Sequence, residues 1–391
     1  MNQLPSVSPE LLQHVPTRTA VRFPSTLICF SHLRWDFVYQ RPQHLLTRFA
    51  EDTSVFFIEE PIYDGAFPHY VIDEKSSKLQ IMVPHLPEGT GPEESECMLR
   101  QLLDGFIGTR SMRDTAFWYY TPMALAFSGH YNPAVTIFDC MDELSAFKFA
   151  PPRLKQMEQN LLSRADIVFT GGVSLFEAKK SRHLNIHAFP SSIDYAHFSK
   201  ARNGIAEPAD QLAIPGPRFG FYGVVDERFD IDLLRDAAAM KPDWHFVIVG
   251  PIVKIDPATL PQGANIHYLG GRTYQELPAY LKGWDVAMIL FALNESTRYI
   301  SPTKTPEYLA GGKPVISTPI HDIIYPYGEQ SLVHIASNAE GFVAAGEKIL
   351  GAQEDSGKWL GRVDTFLKGN SWEQTYLSMK SLIINTLNHH N

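Results

Sequence analysis

The chain has 391 residues, a net charge of −9, 44% hydrophobic residues and 20% charged ones. This is the make-up of a folded globular protein; it excludes a disordered or fibrous chain, and the acidic balance excludes a general nucleic-acid binder, which needs a basic stripe. At this length two domains are expected rather than one core.

Residues 1–24 show neither the basic start nor the apolar core of a signal peptide and are expected to be a loosely ordered extension. No run approaches the roughly 18 apolar residues of a membrane span. Cys29, Cys97 and Cys140 form no C-x-x-C pair, and Cys29 and Cys140 sit in apolar runs that suit small core residues. A cytoplasmic protein is the expectation.

From residue 25 short apolar runs alternate with helical patterns, the signature of βα units and parallel sheets. The first half predicts strands at Leu27–Ser31, Val55–Glu59, Leu79–Val83, Ala116–Tyr120, Val135–Cys140, Ile167–Thr170 and Ile186–Phe189. Each is nearly all apolar, as strands covered on both faces should be. A stretch rich in Pro, Gly and Ala, Ala201 to Pro217, interrupts the pattern and marks the linker. Strands are then expected at Phe219–Tyr222, Phe246–Val249, Ile266–Leu269, Val286–Leu290, Val315–Thr318 and Leu332–Ile335. The domains are placed at 25–205 and 206–370. Residues 371–391 open with a Ser cap and carry an amphipathic helix with Trp372, Tyr376, Met379, Leu382 and Ile383 on its apolar side.

Candidate site residues gather behind strand ends, where ligands of open α/β sheets lie. After the first strand, His32, Arg34, Trp35, Asp36, Tyr39, Gln40 and Arg41 crowd together. Trp35 and Tyr39 can stack on sugar faces, and Asp36 and Arg41 can bind hydroxyls; Pro42 then starts a helix, so Gln40 or Arg41 also fits a capping role. Asp139 and Asp142 follow another buried strand. One of them can act as a general base, or the pair can cap and brace backbone. In the second half, Gly223 allows close backbone approach, Arg228 can clamp a diphosphate, and Val249-Gly-Pro251 offers a turn for a nucleobase. Asp230-Ile-Asp232 imitates a metal motif but reads more simply as a helix cap, so no metal is expected.

The segment Ser301-Pro-Thr-Lys-Thr-Pro-Glu-Tyr-Leu-Ala-Gly-Gly-Lys-Pro-Val-Ile-Ser-Thr318 reads as a helix start followed by a buried strand. Thr305 is expected to cap it, with Pro306 at the first helical position. Lys304 adds charge for a diphosphate, and Glu307 can accept two hydrogen bonds from ribose hydroxyls. Glu295, Arg298, Ser301 and Thr303 complete a polar loop ahead of it.

The order Lys304-x-x-Glu307-Tyr-Leu-Ala-x-Gly-Lys-Pro-Val resembles the donor-binding segment of GT-B glycosyltransferases of the retaining group called family 4. Ser31 to Leu45 and Phe138-Asp-Cys-Met-Asp-Glu-Leu144 are similar to a bacterial branch tied to cell-surface polysaccharide assembly, including teichuronic acid synthesis. The resemblance implies two Rossmann-like domains facing across a cleft, a terminal helix crossing back to the first, a nucleotide-sugar donor held by the second, and no metal or cofactor. It further implies transfer with retention, from UDP-sugar, to a saccharide or lipid-linked saccharide, with peripheral contact at the inner membrane face where the acceptor is lipid-linked. Val224 stands where the family usually has arginine, and Tyr299 where it commonly has a second glutamate. These departures keep open a non-catalytic subunit of a polysaccharide assembly; a GT-B nucleotide-sugar epimerase and transfer from GDP-mannose also stay open.

Overall fold

The computed structural model describes residues 22–352 and 356–390. Among them two sheets form. The first contains β1 (Thr26–Phe30), β2 (Ser54–Ile58), β3 (Ile62–Gly65), β4 (His69–Ser76), β5 (Leu79–Pro87), β6 (Thr115–Tyr119), β7 (Val135–Cys140), β8 (Ile167–Thr170) and β9 (Ile186–Ala188). Its order is β3-β5-β2-β1-β6-β7-β8-β9, with β4 antiparallel to β5 and the other pairs parallel. The second contains β10 (Arg218–Tyr222), β11 (His245–Val249), β12 (Ile266–Gly270), β13 (Val286–Ile289), β14 (Val315–Ser317) and β15 (Val333–Ile335), all parallel in the order β12-β11-β10-β13-β14-β15.

Every strand read from the sequence is present, most to within one residue. The reason is burial on both faces: helices cover each side, giving two apolar clusters per sheet and hence strands that are continuous apolar runs. β3 and β4 were not anticipated. β4 lies on the outside of β5 with most of its residues exposed, and its short apolar run, Tyr70–Ile72, gives way to four polar residues, too little to stand out as a strand. The last residues of the expected extension, 22–24, belong to the described part. Phe23 is buried against Phe49 with ring centroids 5.0 Å apart, and the Ser25 backbone N–H donates to Asp114 at 3.0 Å; residues 1–21 lie outside the described part.

The helix Trp372–His390 crosses back to the first sheet. Trp372, Tyr376, Met379, Ile383 and Leu387 enter the same core as Leu27, Phe49 and Trp118. A fully buried side chain of this size contributes about 1.5–3 kcal/mol, so this one stripe anchors the helix. Arg48–Glu373 at 3.1 Å and a Lys380–Asp52 pair flank it. Among the described residues no helix is long and apolar enough to cross a membrane.

His44, in the helix Arg41–Asp52, lies flat on Trp372 at 4.5 Å and edge-on to Tyr39 at 4.7 Å. Burial, aided by the charges of Arg48 and His197, lowers its pKa from 6.5 to about 3. The native state therefore refuses a proton that the unfolded chain accepts below its ordinary pKa, and stability falls as pH drops below 6.5. We expect His44→Phe, which keeps an aromatic ring there, to make the loss of stability between about pH 7 and 5 shallower by about 2 kcal/mol. Urea unfolding of both proteins at the two pH values measures it.

Candidate functional site

Strand order reverses beside β10, with β11 on one side and β13 on the other, and an open parallel sheet leaves a crevice beyond the strand ends at such a point. A cavity of about 790 Å³ opens there, walled by Tyr222–Val224, Val249–Pro251, Gly271–Leu277, Thr303, Lys304 and Glu307, and closed from the opposite sheet by Trp35–Tyr39. Two glycine turns form its floor. Gly223 has φ 137° and Gly250 φ 154°. A Cβ on Gly250 would lie 1.8 Å from the Gly223 carbonyl oxygen, and one on Gly223 would lie 2.3 Å from Lys304 Cε. Backbone fills the floor to contact distance, and only glycine fits.

The helix behind the cavity runs from Lys304 to Ala310, which corrects the expected start. Thr303 holds the cap position without a side-chain capping bond, Thr305 is a buried helical residue with an unpartnered Oγ1, and Pro306 sits within the first turn, where its missing N–H costs nothing. Two turns sum to a small dipole, so positive charge at the site rests on Lys304. Its ammonium lies 5.5 Å from the ring centroids of Phe221 and Phe291. Glu307 is buried, and Tyr222 Oη donates to its Oε2 at 2.8 Å. Desolvation raises the Glu307 pKa against the pull of Tyr222 and Lys304; desolvation lowers that of Lys304, against the attraction of Glu307. Both groups are strained toward neutrality, the condition in which an incoming partner gains most from restoring their charge.

Gly223, Pro251, Thr303, Lys304, Glu307, Trp35, Asp36 and Tyr39 thus meet around one cavity. Their roles there vary. Asp36 is exposed at the rim and bound to Lys75 at 2.9 Å. Trp35 is a core residue, packed edge-on to Phe57, with its backbone N–H donating to Glu59 at 2.7 Å, so stacking on a sugar is not open to most of its buried ring. Tyr39 stacks on Tyr274 at 4.5 Å, and Tyr274 on His197 at 4.3 Å.

Other candidates are engaged elsewhere. Arg41 and Asp139 form a buried two-pronged pair, both bonds 2.9 Å, and Arg41 also donates to the Phe189 carbonyl at 2.8 Å. Asp139 has no exposed surface, so it braces the helix start instead of facing an acceptor, and Arg41 is no acceptor contact. Gln40 serves in a capping box with Gln43. Arg34 holds Glu59 at 2.9 Å and the Glu60 carbonyl at 2.7 Å. Arg228 is gripped by Asp226, with bonds of 3.0 and 2.6 Å, under the Phe147 ring; it does not line the cavity, which overturns its part as a ready diphosphate clamp. Asp142 is half-buried, its pKa raised by desolvation and opposed by Arg228 and Arg41. Burial takes His32 down to about 4, so its ring is neutral near pH 7, and its Nδ1 has no partner. Glu295 and Arg298 are exposed and do not line the cavity. The Ser301 carbonyl accepts from Ser191 Oγ at 3.0 Å, a contact across the cleft. Asp230 caps a helix through Leu233 N–H at 2.9 Å, and among the described residues no three His, Cys, Asp or Glu side chains gather as metal ligands.

Three functional neighbours escaped the sequence reading: Tyr222, Tyr274 and Asp322. Asp322 accepts from the backbone N–H groups of Val173 at 2.8 Å and Ser174 at 3.0 Å, fastening the second half to the first. Tyr222 ends a strand read correctly, so its position on the cleft was available; the other two carry no local signal.

Two α/β sheets, parallel but for β4, meeting by their carboxyl edges, with a glycine-floored cavity in the second and a terminal helix returning to the first, define the GT-B fold. Residues 216–352, which hold that cavity's floor and charged wall, match the family model described as glycosyl transferases group 1. The chain is 25% identical over 264 residues to the putative teichuronic acid biosynthesis glycosyltransferase TuaH of Bacillus subtilis; the match covers 61% of this chain and 64%, just under two thirds, of that protein. Among solved structures it is similar to sucrose-phosphate synthase from Thermosynechococcus elongatus, with TM-score 0.69, 15% identity, and 94% and 100% of the two chains covered. It is also similar to the E. coli trehalose-6-phosphate protein bound with UDP-2-fluoro glucose, with TM-score 0.65, 10% identity, and 91% and 99% covered. At such identities the likeness is one of fold.

The glycine floor yields a direct test. Gly250→Ala forces a Cβ into the Gly223 carbonyl at a positive φ, and we expect it to cost at least about 2 kcal/mol of stability, the sum of backbone strain and overpacking. Denaturant unfolding measures this, and an unperturbed midpoint would mean the turns have room to separate.

Proposed function

We propose that this protein is a glycosyltransferase that moves a sugar from UDP-sugar to a saccharide or lipid-linked saccharide acceptor in cell-surface polysaccharide synthesis, with retention and without a metal. The observation that carries this reading is the cavity in which Glu307 and Lys304, both desolvated, stand over two glycine turns at the switch point of the second sheet. Glu307 accepts hydrogen bonds from vicinal ribose hydroxyls, with Tyr222 fixing the carboxylate. The glycine turns let the diphosphate approach backbone, and the Lys304 ammonium neutralises charge that grows on the leaving diphosphate as its bond to the anomeric carbon breaks, the acceptor hydroxyl oxygen bonds to that carbon, and the hydroxyl proton passes to the leaving diphosphate oxygen. The name of the Bacillus relative supports the polysaccharide setting, and the UDP-sugar in the E. coli structure supports the base. With a lipid-linked acceptor the enzyme works at the inner face of the membrane.

Calorimetric titration of UDP, GDP and ADP with EDTA present tests the donor site. We expect UDP to bind, and Glu307→Ala and Lys304→Ala each to weaken it by about 1–3 kcal/mol, the loss of a charge-assisted contact. Equal affinity in the parent and both variants removes the donor assignment. Because burial lowers the Lys304 pKa and the diphosphate needs the ammonium form, UDP affinity should decline with rising pH, beginning below the ordinary lysine range. Lys304→Ala should flatten that decline.

A further inference from the structure

Among the described residues β4 is the outermost strand on its side of the first sheet, paired there with β5 in antiparallel register. Across β5, Val55 N–H donates to the Lys78 carbonyl at 2.7 Å and Glu59 N–H to the Met82 carbonyl at 3.0 Å, so Lys78, Gln80 and Met82 turn their backbone groups toward β2. By alternation Ile81 and Val83 turn theirs toward β4, where they face Asp73 and Val71. The backbone N–H and C=O groups of Tyr70 and Ile72 then point away from the sheet, a row open to another strand.

Both ends of that row are blocked. Pro68 has no N–H to give, and a register shift between Glu74 and Ser76 interrupts the strand at the other end, beside charged Asp73, Glu74 and Lys75. The open window is His69–Asp73, centred on Val71. Its middle is apolar and uncovered, with Val71 46% and Ile72 50% exposed. Edge strands are kept from one another by charges, prolines and bulges, and the middle of this window has none of the three.

We propose that β4 pairs antiparallel with β4 of a second copy of this chain, on a two-fold axis at Val71, joining the first sheets of both copies into one. The window is complementary to itself in that register. Tyr70 and Ile72 exchange main-chain hydrogen bonds with Ile72 and Tyr70 of the second copy, Val71 faces Val71, and His69 lies opposite Asp73, which keeps the acids apart. Centred on Ile72 instead, the strands would set Val71 against Asp73 and His69 against Lys75; centred on Asp73, acid against acid. The strip is small beside the roughly 1,200–2,000 Å² of a stable interface, so the pairing is weak and forms at about micromolar concentrations and above. Asp73 also holds Lys75 at 2.7 Å, and Lys75 holds Asp36 at 2.9 Å, so the seam adjoins the rim of the cavity over Glu307. The pairing stands apart from the glycosyl-transfer reading.

Sedimentation velocity of the full chain from about 1 to about 500 µM should show the mass rising from that of one chain toward that of two. Val71→Lys, at an exposed position, sets two cations face to face and should weaken self-association by at least about tenfold, with the urea midpoint of the parent confirming an intact fold. Engineered cysteines read the register, in a Cys97→Ser background because the other two native cysteines are buried. Facing residues of a non-hydrogen-bonded pair have Cα atoms about 4.5 Å apart, within disulfide reach. Val71→Cys should therefore cross-link two chains on mild oxidation, and Asp73→Cys, which meets His69 and not itself, should not. A chain monomeric throughout, undiminished association in Val71→Lys, or Val71→Cys cross-linking no faster than Asp73→Cys would each overturn the proposal.

Discussion

Two sheets that present their carboxyl edges to one another must be held at a separation that leaves room for a ligand yet keeps both walls in reach of it. A few polar contacts do this. Asp322 closes over two backbone N–H groups at Val173 and Ser174, where Gly172 leaves no space for a side chain: a Cβ there would lie 2.3 Å from the Asp322 carboxylate. Ser191 reaches the Ser301 carbonyl, and Tyr39 from one side stacks on Tyr274 from the other. Carboxylate-to-amide bonds are strong but few, and such an interface can part when the ligand changes, as the default for joined domains implies.

Burial of charge sorts the remaining polar residues into two kinds. Arg41 and Asp139 satisfy each other fully, in a geometry that offsets the desolvation of both, and removing one partner would leave the other stranded in the core. Arg228 with Asp226 is similar, at the edge of the cleft. Lys304 and Glu307 differ: they are desolvated without a direct hydrogen bond between them, their mutual attraction and the Tyr222 bond offset only part of that burial, and a ligand entering the cavity can offset more. This distinction, rather than the mere presence of charge, separates bracing residues from binding ones.

The sequence showed the fold plainly because strands covered on both faces leave unbroken apolar runs, as in Val135–Cys140 and Phe246–Val249. It hid β4, whose apolar run, Tyr70–Ile72, is too short to stand out. At the site, the short donor segment with Lys304 and Glu307 was legible because its residues are neighbours in the chain. The sequence left Asp139 open between a base and a brace because its partner lies 98 residues away. Arg228 was misread although its partner is two residues away; an acid so close to an arginine in a loop is a signal that the arginine is already spoken for.

The helix Trp372–His390 sets an order of events in the cell. Its apolar stripe belongs to the core that β1 and the helix Arg41–Asp52 begin, and all of the second sheet is synthesised between those pieces. A nascent chain emerging from the ribosome therefore carries a first half whose hydrophobic seam stays open until the last helix arrives, and domains that ordinarily fold one after another during synthesis are here tied to a shared finish. A chain cut short within the intervening segment lacks the helix that covers that seam.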